Sequence, residues 1–117
     1  MFEVIRIPAF KDNYIWLLRK GRLAVVVDPG DAQPVLEVLK QEALQLEAIL
    51  ITHHHADHQG GVAKLLSNSP AEVFGPAAES ITGLTHPLHG GETIVLDAIG
   101  AEFHVLGVPG HTLGHVA

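Results

Sequence analysis

Residues 48–61 read Ala48-Ile49-Leu50-Ile51-Thr52-His53-His54-His55-Ala56-Asp57-His58-Gln59-Gly60-Gly61. The all-apolar run 48–51 has the look of a strand buried on both faces, as parallel strands covered by helices are. It stops at Thr52, and Gly60-Gly61 opens a helix predicted over Val62–Ser67. The polar segment between them is a loop at the C-terminal end of a buried strand, where open α/β sheets place their ligands. Alternate residues of an extended segment point the same way, so His53 and His55 converge on one cation, and His54 is read as a bystander. Asp57 and His58 lie past the turn and reach a neighbouring position. Imidazole nitrogens with a carboxylate oxygen suit Zn²⁺, with iron or manganese as competitors. The plain alternative is a solvated histidine tract or a tag remnant. Tags are terminal and uninterrupted, whereas this segment is internal and broken by Ala56 and Asp57.

Working towards the N-terminus, the strand is preceded by a helical pattern. Val35, Leu36, Val38, Leu39 and Ala43 recur at helical spacing, with Glu37, Lys40, Gln41 and Glu42 on the other side. Pro34 suits the first turn and Asp31 is a candidate cap. Before it, residues 2–27 read as an antiparallel meander of three strands, with Lys20-Gly21-Arg22 as a tight turn and Asp28-Pro29-Gly30-Asp31 as the break. Towards the C-terminus, Glu72-Val73-Phe74 is a short strand and residues 75–91 read as irregular. Thr93–Leu96 and Glu102–Val108 are two further strands. The order predicts an α/β layer, a sheet with helices packed on one face. There is too little material for a second sheet-and-helix layer.

A second histidine loop lies downstream. His111 follows a strand and the Pro109-Gly110 turn, and with His53 and His55 it would make a three-imidazole site with a position open for water. His115 is read as supporting the ligands from behind. Asp28 ends a β-run and has two readings: a hydrogen bond that fixes the tautomer of a ligand imidazole, or a turn or capping aspartate. His86, His89 and His104 fall in no motif and are read as ordinary loop or strand residues.

Composition narrows the function classes. Thirteen acidic against 7 basic residues give a formal charge of −6, which leaves no basic face for nucleic acid. The absence of cysteine excludes disulfides, cysteine zinc fingers and thiol nucleophiles. No apolar run approaches the roughly 18–20 residues of a membrane span, and no signal-peptide-like segment precedes the first strand, so a cytoplasmic protein is expected. Nine histidines among 117 residues then require a reason, and a metal site supplies it.

These motifs resemble a known family. Thr52-His53-His54-His55-Ala56-Asp57-His58 with Gly60-Gly61 is similar to the first metal motif of the metallo-beta-lactamase superfamily, and Val27-Asp28-Pro29-Gly30 and Pro109-Gly110-His111-Thr112 resemble its flanking motifs. Within it, Asp12-Asn13-Tyr14-Ile15-Trp16 and Gly110-His111-Thr112-Leu113-Gly114-His115 look like the glyoxalase II (hydroxyacylglutathione hydrolase) branch. The resemblance implies an αββα sandwich with a two-metal site at one edge. His53, His55 and His111 would bind one metal, Asp57 and His58 the other, with zinc expected in both. It further implies hydrolysis of S-D-lactoylglutathione to D-lactate and glutathione. Water activated by the metals attacks the thioester carbonyl, and Asp57 also orients that water.

The sequence departs from the family in extent. Members continue past the His111 loop with a bridging aspartate, a further histidine, the rest of the second α/β half and a helical region that binds glutathione. Residues 1–117 are therefore expected to be the N-terminal portion of one such domain, mainly its first α/β half, with weak or no activity alone. Such a piece would expose a sheet face through which copies oligomerise. Competing readings are a mononuclear-iron persulfide dioxygenase and a non-catalytic metal-binding fragment. A β-lactamase fits the Asn13-Tyr14 signature less well, and the charge of −6 disfavours an RNA-processing nuclease.

Overall fold

Alternating burial along the first strands builds one face of a sheet. The computed structural model describes residues 2–9, 13–52, 59–97 and 99–107. Strands β1 (Glu3–Ala9), β2 (Asn13–Lys20) and β3 (Leu23–Val27) form the expected antiparallel meander, with Gly21 at φ 60° in the β2–β3 turn. Ile5, Ile7, Ile15, Leu17, Ala24 and Val26 point to one face and join the larger core. Helix α1 (Ala32–Gln41) starts at Asp31, whose carboxylate accepts the Gln33 N–H, so the predicted cap is observed. It buries Ala32, Val35 and Leu39 on that same face, each large side chain contributing about 1.5–3 kcal/mol.

The helix ends earlier than its apolar spacing implies. Ala43 is exposed, with φ 53°, and stands beyond the last turn. The Leu44 N–H donates to Leu39 O at 2.8 Å and the Ala43 N–H to Lys40 O at 3.3 Å, a Schellman closure that usually takes glycine at this position.

Strand β4 (Gln45–Leu50) follows, longer at its start than the apolar run, then α2 (Val62–Asn68), β5 (Glu72–Pro76) and β6 (His86–Leu88). The sheet order is β1-β2-β3-β4-β5-β6, antiparallel through β3 and parallel from β3 to β6. Strand β6 corrects the irregular reading of residues 75–91. It is three residues long with Pro87 at its centre, tolerable because it is an edge strand with one side unpaired.

The other face of the sheet is partly covered, among the described residues by two strands and not by a sheet-and-helix layer. Strands β7 (Thr93–Leu96) and β8 (Ala101–His104) pair as a second, antiparallel sheet. Ile94, Ile99, Ala101 and Val105 pack on Leu18, Val25, Ala48, Phe74 and Leu88 of the large sheet. Strand β8 begins one residue before the predicted Glu102 and stops at His104, though Val105 still bonds Gly91 and Glu92 through its backbone. Among the described residues the cover reaches Leu18 of β2 but leaves Val4, Tyr14 and Trp16 on the β1–β2 flank 43–56% exposed.

Candidate metal centre

Parallel strands end on one edge. Val27, Leu50, Pro76 and Leu88 close β3, β4, β5 and β6 side by side, so the residues that follow share a rim, the place α/β sheets use for ligands. Asp28 opens this rim. Its backbone N–H donates to Leu50 O at 2.8 Å while its φ turns to 51°, a left-handed conformation that Asp tolerates better than most residues. That turn brings the carboxylate to Thr52: Oδ1 accepts the Thr52 N–H at 2.8 Å and Oδ2 accepts the Thr52 hydroxyl at 2.7 Å. Asp28 is therefore not the helix cap. It joins the ends of two neighbouring strands at the root of the histidine segment.

The far side of that segment is held as well. Gln59 Nε2 donates to Ser80 O at 3.0 Å, and Gln59 Oε1 accepts the Thr82 N–H at 2.9 Å. The Gly61 N–H donates to Pro29 O at 2.9 Å. A Cβ on Gly61 would lie 2.5 Å from Ala32 N and 2.7 Å from both Asp31 C and Pro29 O. Only glycine lets α2 start this close to the β3–α1 turn.

The predicted ligands His53, His55, Asp57, His58 and His111, together with His54 and His115, lie outside the described residues. Among the described residues, no group of three or more His, Cys, Asp or Glu is placed to hold a metal. The donor set in the sequence, imidazoles with one carboxylate, nevertheless fits a divalent transition metal. Most of it falls in sequence between Thr52 and Gln59.

The remaining histidines behave as the sequence implies. The His86 ring stacks on Phe74 at 4.3 Å and pairs through Nδ1 with Thr85 Oγ1 at 2.9 Å. His104 Nδ1 meets Thr93 Oγ1 at 3.2 Å, with Glu102 3.4 Å from Nε2. The His89 N–H donates to Glu92, which also accepts the Gly90 N–H. Chiefly through the His89 bond, these donors hold the Glu92 carboxyl below its ordinary pKa.

Sequence reasoning missed the roles of Thr52, Gln59 and Gly61. A Thr directly before a ligand run and a Gly-Gly directly after it were the available signals. It also missed an apolar cavity of about 170 Å³ between the two sheets, lined by Val27, Leu50, Phe74, Leu88, Ile94 and Phe103, with Thr52 and His104 among its walls.

Comparison with known proteins agrees with this architecture. Residues 10–117 match the family model of the metallo-beta-lactamase superfamily. The chain is 62% identical over all its residues to the hydroxyacylglutathione hydrolase of Dechloromonas aromatica and 55% identical to that of Methylobacillus flagellatus. It spans only 43% and 47% of those relatives' lengths. Among solved structures it superposes on the BLEG-1 B3 metallo-beta-lactamase with a TM-score of 0.80 at 26% identity, covering 99% of this chain and 65% of that one. ETHE1 from Myxococcus xanthus gives 0.78 at 26% identity, covering 99% and 52%. Among the described residues no helix is long and apolar enough to cross a membrane. Motif order, sheet order and family match converge: the chain belongs to the metallo-beta-lactamase superfamily, whose members bind divalent metal.

Proposed function

We propose that the protein is a metal-dependent thioester hydrolase of the cytoplasm that cleaves S-D-lactoylglutathione to D-lactate and glutathione. The observation that carries this reading is 62% identity, over the whole chain, to a hydroxyacylglutathione hydrolase. The mononuclear-iron dioxygenase reading is not favoured, since the curated relatives at 50–62% identity are named as hydrolases. In this reading His53, His55 and His111 hold one cation, and Asp57 and His58 the other, with zinc in both positions. Bound there, the cations supply an activated water and charge to match the developing oxyanion. The chain's own part is to aim and anchor: Asp57 orients the attacking water, His115 backs the ligands, and the Asp28–Thr52 clamp fixes the root of the segment.

The test is hydrolysis of S-D-lactoylglutathione by the holoprotein, followed by thioester loss, with metal counted by elemental analysis. His53→Ala and His111→Ala should each lose metal and turnover together. Unchanged metal in both variants overturns the site assignment. Because the relatives are about twice as long, the 117-residue chain by itself should turn over weakly or not at all. Robust turnover by that chain would contradict this. Expressed alone, it should also self-associate through the Val4, Tyr14 and Trp16 flank, and Trp16→Lys should shift its sedimentation towards monomer.

A further inference from the structure

The histidine segment is bracketed by two polar clamps of different chemistry. Asp28 holds its N-terminal side through Thr52. On the other side the Gln59 carboxamide is engaged in both directions, donating to Ser80 O and accepting the Thr82 N–H. One side chain thus pairs with the β5–β6 connection much as a neighbouring strand would. That connection is a firm support. Ile81 packs into the helix-side core, and Thr85 Oγ1 bonds both Val73 N and Val73 O at 2.8 and 3.1 Å. At Gly83, φ is 68° and a Cβ would lie 2.5 Å from Leu66 Cδ1, so the connection lies close against α2. Gln59 is therefore tied to a surface built on β5 and α2.

We propose that Gln59 is a positioning residue for the metal ligands immediately before it, Asp57 and His58. This rests on the metal-site reading given above. The Gly61 N–H bond to Pro29 O already seats the start of α2. The Gln59 latch adds a side-chain tie between that seat and His58, on the ligand side of Gly60. Without it, a smaller fraction of molecules presents Asp57 and His58 in the binding geometry, and apparent affinity falls by that fraction. Loss of two such hydrogen bonds corresponds to about tenfold weaker binding of the second metal equivalent. The first equivalent, assigned in that reading to His53, His55 and His111, keeps its affinity.

The test is Gln59→Met in the holoprotein, a change that keeps side-chain length and removes both hydrogen bonds. Metal is titrated as Zn²⁺ against a competing chelator, and as Co²⁺ by its absorption spectrum. Hydrogen exchange at Thr82 reports the latch itself. Gln33→Met is the matched control, since Gln33 is exposed on α1 and bonds only its helix neighbours Asp31 and Glu37 among the contacts seen. The expected result is selective weakening of the second equivalent with faster Thr82 exchange, while the control matches the parent. Faster Thr82 exchange with both equivalents unchanged overturns the role of Gln59. Equal weakening of both equivalents also overturns it, because it marks general unfolding. If Gln59→Met does not fold, Gln59→Glu, which keeps the acceptor for Thr82 and loses the donor to Ser80, is judged by the same two readouts. A parent protein that binds no metal overturns the underlying site reading instead.

Discussion

Gly61→Ala isolates the close approach that seats the second helix. The residue's own conformation, φ −92° and ψ −6°, is one any residue adopts. In open space the substitution would therefore stabilise by about 0.4–1 kcal/mol through the unfolded chain. Space is what Gly61 lacks. The new Cβ would sit 2.5 Å from Ala32 N and 2.7 Å from Pro29 O and Asp31 C, all backbone atoms that no rotamer change can move. Relieving such overlap shifts the β3–α1 turn and costs about 1–3 kcal/mol, occasionally more. It also stretches the Gly61 N–H bond to Pro29 O, worth about 1 kcal/mol. The net expectation is a loss of about 1–3.5 kcal/mol, or roughly 5–20 °C in melting temperature for a domain of this size. Thermal unfolding followed by circular dichroism measures it, with Gly107→Ala as control because nothing lies within 4 Å of a Cβ there. A Gly61→Ala variant as stable as the parent would refute the reasoning, since it would mean that α2 does not start against that turn.

Other substitutions probe the same edge and its flanks. Asp28→Ala removes both acceptors for Thr52 and should cost about 2–4 kcal/mol, with loss of bound metal. Asp28→Asn, which keeps one acceptor and tolerates positive φ, should cost less, and urea melts with metal counting would show the order. Ala43→Gly should stabilise by up to about 1 kcal/mol, because Ala43 holds a left-handed φ in an exposed helix closure; unchanged stability in a urea melt would contradict that. The Glu92 carboxyl, lowered chiefly by the His89 N–H, should titrate below its ordinary value by NMR. A depressed folded pKa means that its contribution is complete above the unfolded value of about 4.3 and disappears as pH falls through the folded one. Exchange at His89 and Gly90 should therefore rise only in that acid range in the parent, and already at neutral pH in Glu92→Gln.

What could be read from the sequence follows from how local each cause is. The β1–β3 meander, α1 with its Asp31 cap, and buried β4 were legible because period-2 alternation, helical spacing and an apolar run act within a few residues. The start of β4 was not, since Gln45 and Glu47 interrupt the apolar pattern. Gln45 is held by pairing with Leu23 of β3, and Glu47 is the residue skipped by a register shift that sets Leu46 against Ala24 and Ala48 against Val25. Strand β6, with Pro87 at its centre, exists only because β5 offers a free edge. The second sheet was legible as two strands but not as a cover, because that role depends on Ile94 and Ala101 meeting Phe74 and Leu88 from distant positions. For the site, donor types and spacing give the expected ligands, which lie outside the described residues. The supports came from tertiary contacts: nothing local to Asp28 says that its carboxylate reaches Thr52, or that Gln59 reaches Ser80 and Thr82.

Those supports share one origin. The Asp28 clamp comes from the end of β3, the Pro29 carbonyl from the β3–α1 turn, and the Gln59 partners from the β5–β6 connection. All three belong to the helix-backed sheet, whose core holds Leu17, Val26, Val35, Ile49, Val62 and Val73 with almost no exposure. None is supplied by the β7–β8 sheet, which covers the opposite face only in part. Among the described residues, the frame around the histidine segment is thus set by contacts within one layer, with half of their donors and acceptors on backbone that this core fixes. Loosening the second sheet should leave that frame standing, whereas loosening the seat of α2 reaches the segment through Gly61 and Gln59 directly.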